Sequence, residues 1–210
     1  MLLRTDDVVR PTDNFKRFLE ITKDVPVVVA AQPFSMFDDL ENITQEMRDN
    51  DNWNVPIETL IKSYKNVTVC QHGWDHKNHA PDDQKRNEYP ETRDVNECIT
   101  EIMEGKKSLE KHFGDQFYPV FIPPWNRFGH NKQILSEIGF VGMEDDEGTL
   151  DMQVNKGWID ETYFWRKIET DDTIHSLMFH HDWMNDENFQ FLENLVNSGV
   201  ISWKSIRESS

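Results

Sequence analysis

The sequence is poor in the features that mark several classes of protein. Only two of its 210 residues are cysteines, Cys70 and Cys98, too few for a disulfide framework in a chain this long. No window approaches the ~20 consecutive apolar residues that a membrane-spanning helix needs. Neither a Gly-x-Gly-x-x-Gly nor a Gly-Lys-Ser/Thr loop is present, so nothing supports dinucleotide or P-loop nucleotide binding.

Positive charge is also scarce. The chain has 22 Lys and Arg against 39 Asp and Glu, which gives a formal net charge of −17. Proteins that bind a phosphate backbone or an anionic membrane need a basic face, and we find no cluster of Lys or Arg. We therefore expect neither nucleic acid nor membrane as a partner. The N-terminus has no apolar segment of signal-peptide length, so we expect a cytoplasmic location. The sequence does not indicate an oligomeric state.

What the sequence does contain is a regular alternation of strand and helix patterns. Apolar runs predict strands at 2–3, 25–31, 67–71, 118–122, 140–141, 173–179 and 200–203. Amphipathic patterns predict helices from about 12 to 21 and over 35–48, 56–64, 94–112, 131–138 and 185–197. Segment 158–168 is mixed with some β character, and 49–54, 80–92 and 144–148 are predicted loops. Such alternation predicts an α/β architecture with parallel strands, in a single domain over 1–210.

A histidine-rich stretch, residues 71–79, follows the strand predicted at 67–71. His72, His76 and His79 lie within eight residues, and Gly73 allows the backbone to turn sharply after the strand. If this loop forms one helical turn, His72 and His76 lie on the same face, close enough to bind one metal ion. Imidazole suits Zn, Co, Ni and Fe alike, so the spacing indicates a divalent transition metal without choosing it.

Other polar residues also follow predicted strands. Asp6 and Asp7 follow the first strand, residues 125–127 (Trp-Asn-Arg) follow that at 118–122, and His180 and His181 end a late one. In a parallel barrel these ends meet at one mouth, where active sites are built. One Asp and two His can hold a metal, the other Asp can act as general base, and a late His can protonate the leaving group.

At this point the chain resembles the polysaccharide deacetylases, the NodB-homology group also called carbohydrate esterase family 4. The first motif of that family is Thr-Phe-Asp-Asp, and here Asp6 and Asp7 match its double Asp. The second is His-x-x-x-His, matched by His72 and His76, with Lys77 where Pro usually follows. The resemblance implies that Asp6 is the general base and that Asp7, His72 and His76 bind the metal.

The third motif of the family is Arg-x-Pro followed by an aromatic residue. Here Pro123, Pro124 and Trp125 keep the prolines and the aromatic, but Ile122 stands near the position of the Arg. Arg127 and Arg4 are the two candidates for the missing guanidinium.

The last motif is an apolar strand that ends in His. Residues 177–180 match it, and because His181 follows directly, either His180 or His181 is the proton donor, with His180 preferred as the first. The fourth motif carries an Asp and a Trp. Trp158, Asp160 and Trp165 are loose candidates for it.

The resemblance implies a distorted (β/α) barrel that binds Zn or another divalent transition metal and removes acetyl groups from an amino sugar, as in a surface-polysaccharide precursor. Trp74, Trp125, Arg127 and His79 are expected to contact the substrate, with His79 also a candidate for supporting the metal ligands. Two alternatives stay open. One is a metal-dependent amidase acting on a non-sugar small molecule, and the other is a binding domain of the same fold without catalysis. The altered third motif slightly favours the latter.

Overall fold

The computed structural model of the protein describes residues 1–37, 56–145, 147–153, 158–159 and 161–208. Within these ranges seven strands form one sheet, in the order β5-β4-β3-β2-β1-β7-β6. They are β1 (Leu2–Val8), β2 (Val27–Ala31), β3 (Val67–Gln71), β4 (Phe117–Phe121), β5 (Gly142–Met143), β6 (Thr149–Asp151) and β7 (Ser176–Phe179). All neighbouring pairs are parallel. The sheet curls into a half-closed barrel, which confirms the predicted distorted (β/α) barrel.

Helices connect the strands, as parallel pairing requires. They are α1 (Asp13–Ile21), α2 (Pro33–Phe37), α3 (Ile57–Ser63), α4 (Val95–Phe113), α5 (Gln133–Glu137), α6 (Glu161–Thr170) and α7 (Asp186–Asn197). Side-chain caps fix three of their starts. Thr12 accepts from the N–H of Phe15, Asp94 accepts from the first turn of α4, and Asn185 forms a capping box with Asn188. Each such cap is worth about 1 kcal/mol.

The central strands are buried on both faces, because β2 and β3 contain no exposed residue. That is the environment their continuous apolar runs predict. Helix α1 closes one side of the core with Phe15, Phe18 and Leu19, and the ring of Phe18 lies 6.0 Å from that of Phe179 in β7. Truncating one of these buried Phe residues to Ala is expected to cost about 3–5 kcal/mol.

Several sequence predictions are corrected by the structure. Segment 158–168 is largely helical in α6, because Phe164 and Ile168, four residues apart, both pack on the core, and this spacing outweighs the β preference of aromatic and branched residues. Strand β6 was missed, since three residues beside an acidic loop give almost no periodic signal. Strand β1 is longer than predicted and contains both Asp6 and Asp7.

Two smaller corrections concern short strands. The strand predicted at 140–141 lies at Gly142–Met143. Segment 200–203 forms no strand. It is tied to the N-terminus by two hydrogen bonds, from Met1 N to Ser202 O (2.8 Å) and from Lys204 N to Met1 O (3.0 Å).

Some predictions fall outside the described residues. These are most of the helix at 35–48, the loop at 49–54, one position of the acidic loop and Asp160. Among the helices of the described ranges, none combines the length and apolar character needed to cross a bilayer.

Candidate active site

The carboxyl ends of β1, β3, β4, β6 and β7 open into one cleft of about 760 Å³. Parallel strands all point the same way, so the residues that follow them collect at one edge of the sheet. Seven of the ten residues predicted for the site line this cleft: Asp6, Asp7, His72, His76, Trp125, Arg127 and His180.

Three of these side chains converge on a single point. Oδ1 of Asp7 lies 3.2 Å from Nε2 of His72 and 3.1 Å from Nε2 of His76. One ligand atom from each residue can be chosen so that all three lie within 4.8 Å of one another. Nε2 of Gln32, at the end of β2, donates a hydrogen bond to the same Asp7 oxygen at 3.0 Å and orients the carboxylate.

The hydrogen bond of His72 fixes which of its nitrogens is available. Its Nδ1 lies 2.9 Å from the carbonyl oxygen of Ile122. Because a carbonyl only accepts, Nδ1 carries the hydrogen, and Nε2 of the neutral ring presents its lone pair to Asp7. A lone pair and a carboxylate oxygen 3.2 Å apart attract each other only when a proton or a cation lies between them.

The electrostatics of the cluster favour the metal-binding forms of Asp7 and His76, whereas a proton on His72 competes with a metal ion. Burial opposes ionisation of Asp7, but its hydrogen bond with His72 and the charges of His72, His76 and His180 hold the pKa of Asp7 well below its usual range. Burial also works against a charged His72, yet the contact with Asp7 raises the pKa of His72 on balance. Burial and the neighbouring His72 lower the pKa of His76 to about 4. At neutral pH His76 is therefore a neutral imidazole beside a carboxylate, which is the protonation state that metal binding requires.

Backbone strain is concentrated around this cluster. Within the described part of the chain, four residues other than glycine have positive φ: Asp7 (60°), His76 (58°), Trp125 (53°) and Asn126 (54°). All four line the cleft. The register of β1 against β2 shifts between Thr5 and Val8, which turns Asp7 toward the histidines. Such conformations cost about 1–3 kcal/mol each and cluster at functional sites.

A buried carboxylate supports the loop that carries His76. Oε1 of Glu88 accepts hydrogen bonds from the N–H groups of Trp74 (2.9 Å) and Asp75 (3.0 Å). Gly73 makes this approach possible, because its φ is +62° and a Cβ there would lie 2.0 Å from Oε2 of Glu88. Burial raises the pKa of Glu88 to about 7.

Asp6 forms an ion pair with a buried arginine, Arg4, in the same strand. Nη2 of Arg4 lies 3.2 Å from Oδ2 of Asp6 and donates to Oδ1 of Asn126 at 2.7 Å. Arg4 and Asp6 are only 1% and 2% exposed. Oδ1 of Asp6 is buried and has no hydrogen-bond partner among the described residues, so no protein donor competes for that oxygen there. Of the two candidate arginines, Arg4 is therefore the one in contact with Asp6.

His180 faces the cluster from the end of β7. Its Nε2 lies 3.7 Å from Oδ2 of Asp7, and its ring stacks on Trp183 with 4.4 Å between ring centroids. Its backbone N–H donates to Oε1 of Gln153 at 2.6 Å. Nδ1 of His180 is buried and has no partner in the described part of the chain.

His181, the other candidate for the proton donor, points the opposite way. Its Nδ1 lies 2.9 Å from Oγ1 of Thr5, its ring packs on Phe15, and it is 1% exposed. Burial lowers the pKa of His181 to about 4. In an alternating strand end, consecutive side chains face opposite sides, so only one of the two histidines can reach the cleft. The structure corrects the prediction for His181.

Two predicted substrate contacts also lie outside the cleft. Trp74 packs against Phe34 and the cluster around Tyr89, with 5.3 Å between the Trp74 and Phe34 rings. His79 is exposed, and its N–H pairs with the carbonyl of Asn87. Trp125, in contrast, lines the cleft and packs on His76 with 4.2 Å between ring centroids.

Several residues that line the cleft or support its side chains are not among the predicted ones. Gln32 directly follows an apolar strand, so the rule that identified Asp7 could have found it. Asn126 lies inside the 125–127 loop that was singled out without a role for it. Glu88 and Arg86 come from the irregular segment 80–92, which carries no pattern, and Asp151 ends the missed strand β6. Of the fourth-motif candidates, Trp158 packs on Phe179 in the core, and Trp165 does not line the cleft.

The residues of the cluster fit a divalent metal ion. Two neutral imidazole nitrogens and a carboxylate oxygen form a donor set used for Zn, Co, Ni and Fe. The cleft leaves the opposite side open to solvent or a ligand. The hydrogen bonds from His72 to Ile122 O and from Gln32 to Asp7 supply the outer support that metal ligands usually have.

We compared the chain with known proteins by sequence and by structure. No family model and no curated protein matches the sequence. Solved structures do match. A family 4 carbohydrate esterase pseudoenzyme from Bacillus anthracis has a TM-score of 0.64 at 14% identity, over 99% of this chain and 64% of that one. A mutant of the peptidoglycan deacetylase PdaC from Bacillus subtilis has a TM-score of 0.63 at 16% identity, over 99% and 87%.

A third structure is a family 4 acetyl xylan esterase from Clostridium thermocellum in complex with a cobalt ion. Its TM-score is 0.52 at 14% identity, over 99% of this chain and 89% of that one. This chain thus spans about two thirds of the pseudoenzyme's length and most of the length of the other two. The chain therefore has the fold of the family 4 carbohydrate esterases, as the resemblance of its motifs predicted.

Proposed function

We propose that this protein is a metal-dependent hydrolase that removes the acetyl group from the nitrogen of an amino sugar. The observation that carries the proposal is the convergence of Asp7, His72 and His76 beside Asp6 and His180, at the strand ends of a fold shared with carbohydrate deacetylases. A chain without catalytic duty has no physical need to hold such a costly set of buried polar groups in one place.

Asp7, His72 and His76 would hold the metal, as Zn or as Co, Ni or Fe. The cobalt ion in the acetyl xylan esterase supports a transition metal in this fold. When bound, the ion supplies Lewis-acid polarisation of the acetyl carbonyl and lowers the pKa of water.

Asp6 acts as the general base. Its free Oδ1 accepts the proton of the attacking water, while Oδ2 stays bonded to Arg4. Arg4 replaces the arginine that the third motif lacks, because its guanidinium reaches Asp6 from within β1. It holds the carboxylate in one orientation and links it to Asn126 on the opposite loop.

His180 acts as the general acid that protonates the departing amine. It faces Asp7 across the cleft, and Trp183 stacks against its ring. Trp125 lines the cleft beside His76, and Trp183 lines it beside His180. Both provide flat surfaces for a sugar ring.

A second candidate function is a binding domain without catalysis. The unpartnered Nδ1 of His180 favours it, because catalytic histidines are usually oriented through that nitrogen. The pseudoenzyme from Bacillus anthracis supports it as well.

The test begins with elemental mass spectrometry of purified wild type and His76→Ala. We expect about one transition-metal ion per wild-type chain and loss of that ion in the variant. His79→Ala is the matched control, since His79 lies in the same loop outside the cleft. Acetate release from a panel of N-acetylated sugars follows, with Asp6→Asn as the inactive control. Metal without acetate release from any substrate would favour the binding domain. No metal, even after addition of Zn or Co, would overturn the hydrolase.

A further inference from the structure

Two arginines on one side of the cleft are not used by the proposed mechanism. Arg127 follows β4, and Arg86 belongs to the irregular segment that precedes α4; both line the cleft. The guanidinium of Arg127 reaches the backbone of Arg86, because Nη1 of Arg127 is 3.4 Å from the backbone oxygen of Arg86. Arg86 is exposed and Arg127 half-buried, so neither side chain is enclosed by the protein.

Neither arginine is neutralised by the described part of the protein. The arginines that form ion pairs there are Arg4, Arg17 and Arg93. In a chain with 39 acidic and 22 basic residues, acidic partners are abundant. Two arginines that line one cleft without an ion-pair partner among the described residues therefore supply positive charge there, in a strongly acidic protein.

The carboxylates nearest the proposed reacting centre already have partners. Asp6 is paired with Arg4, and Asp7 lies against the histidines. Asp151 also lines the cleft, where it accepts a hydrogen bond from the N–H of Gln153. A negative group of a substrate is therefore favoured beside Arg86 and Arg127, with the reacting acetyl group over the cluster.

We propose that the cleft accepts acetylated amino sugars that carry an anionic substituent, a carboxylate or a phosphate, and that Arg86 and Arg127 bind this substituent. Guanidinium groups present paired N–H donors that match the oxygens of both anions. The inference rests on the proposed function, because it names the substrate class of the same cleft.

The first test compares kcat/KM of the zinc-loaded enzyme for N-acetylglucosamine, its 1-phosphate and 6-phosphate, and N-acetylmuramic acid, which carries a carboxylate. We expect at least one anionic sugar to be preferred by about tenfold or more over the neutral one. The phosphate and carboxylate arms identify which anion fits. In Arg86→Gln/Arg127→Gln the ratio of anionic to neutral kcat/KM should fall toward one. Arg166→Gln, an exposed arginine on α6, should keep the wild-type ratio.

The second test measures binding alone and stays informative if no sugar is deacetylated. Calorimetry on zinc-loaded Asp6→Asn compares N-acetylglucosamine 1-phosphate and N-acetylmuramic acid with N-acetylglucosamine. We expect tighter binding of an anionic sugar, lost when Arg86 and Arg127 are also replaced. Equal binding of anionic and neutral sugars, or a preference that survives the double replacement, would overturn the inference. Acetate release without such a preference would support the proposed hydrolase function but contradict the anionic substrate class.

Discussion

The two sides of the cleft differ in how well hydrogen bonds orient their side chains. Around Asp7, His72 and His76, every element is supported: Gln32 orients Asp7, the carbonyl of Ile122 orients His72, and Glu88 holds the loop before His76. On the other side, His180 has one backbone hydrogen bond, a stacked Trp183 and a buried Nδ1 without a described partner.

We therefore expect metal binding and the rate of the proposed reaction to depend on different sides of the cleft. The cluster of Asp7 and the histidines is oriented by hydrogen bonds to buried groups, so its geometry is set by the fold. The position of His180 depends mostly on packing against one exposed ring. Loss of the ligand cluster should therefore abolish metal binding, whereas changes on the His180 side should affect rate alone.

The largest effect is expected from Asp7→Ala. Removing the only carboxylate of the cluster should abolish stoichiometric metal binding and lower acetate release by at least about 10³-fold, because both metal-dependent contributions are lost. Elemental analysis and a kinetic assay on the same sample measure both. Asp182→Ala, a partly exposed acid on the turn after β7, is the control. Activity that persists in metal-free Asp7→Ala would refute a metal-dependent reaction.

His180→Ala should reduce kcat by about 10²–10⁴-fold and leave the metal content near that of wild type. This result would confirm that the two sides of the cleft can be separated. Trp183→Ala should lower kcat less, since it removes the stacking partner but keeps the imidazole. If His180→Ala instead loses its metal, the ring is a ligand and the two sides of the cleft do not act separately.

Arg4→Met tests the buried ion pair beneath the base. Because it leaves the Asp6 carboxylate unpaired in the core, it should lower the free energy of unfolding by about 3–5 kcal/mol. Adding Asp6→Asn should recover part of that loss. Arg17→Met is a matched control on the surface, where Arg17 is 46% exposed and pairs with Asp186, and it should cost about 1 kcal/mol or less. Equal losses from both substitutions, measured by urea unfolding, would contradict the buried pairing.

Glu88→Gln should weaken metal affinity by about 10–100-fold, since the amide oxygen of Gln can still accept both backbone N–H groups that Oε1 of Glu88 accepts but carries no charge. It should also alter the pH dependence of stability. Burial raises the pKa of Glu88 from 4.5 to about 7. The folded state then holds a proton that the unfolded state has already released, so wild-type stability falls as pH rises from 4.5 to 7, by up to about 3 kcal/mol.

That slope should be absent in Glu88→Gln and present in Glu91→Gln, an exposed neighbour. Unfolding midpoints of the metal-free proteins across this pH range provide the measurement. Parallel curves for wild type and Glu88→Gln would show that Glu88 ionises normally.

Most elements of the fold could be predicted from sequence, because their signals are local. The apolar runs at 27–31 and 67–71 and the caps Thr12, Asp94 and Asn185 are short-range patterns that require no knowledge of the rest of the chain. The failures were β6, which is three residues long, and α6, where β-favouring aromatic residues obscured the helical spacing of Phe164 and Ile168.

The site divides in the same way. The sequence by itself determined which side chains meet in the cleft, because Asp6, Asp7, His72, His76 and His180 each lie near the carboxyl end of an apolar strand, and parallel strands must bring such residues to one edge. Only the tertiary structure decided that Arg4 rather than Arg127 contacts Asp6, and that His180 rather than His181 faces the cleft. It also brought in Gln32, Glu88 and Arg86. Those contacts join residues up to 176 positions apart, and their partners are set by how the sheet curls, which no local pattern encodes.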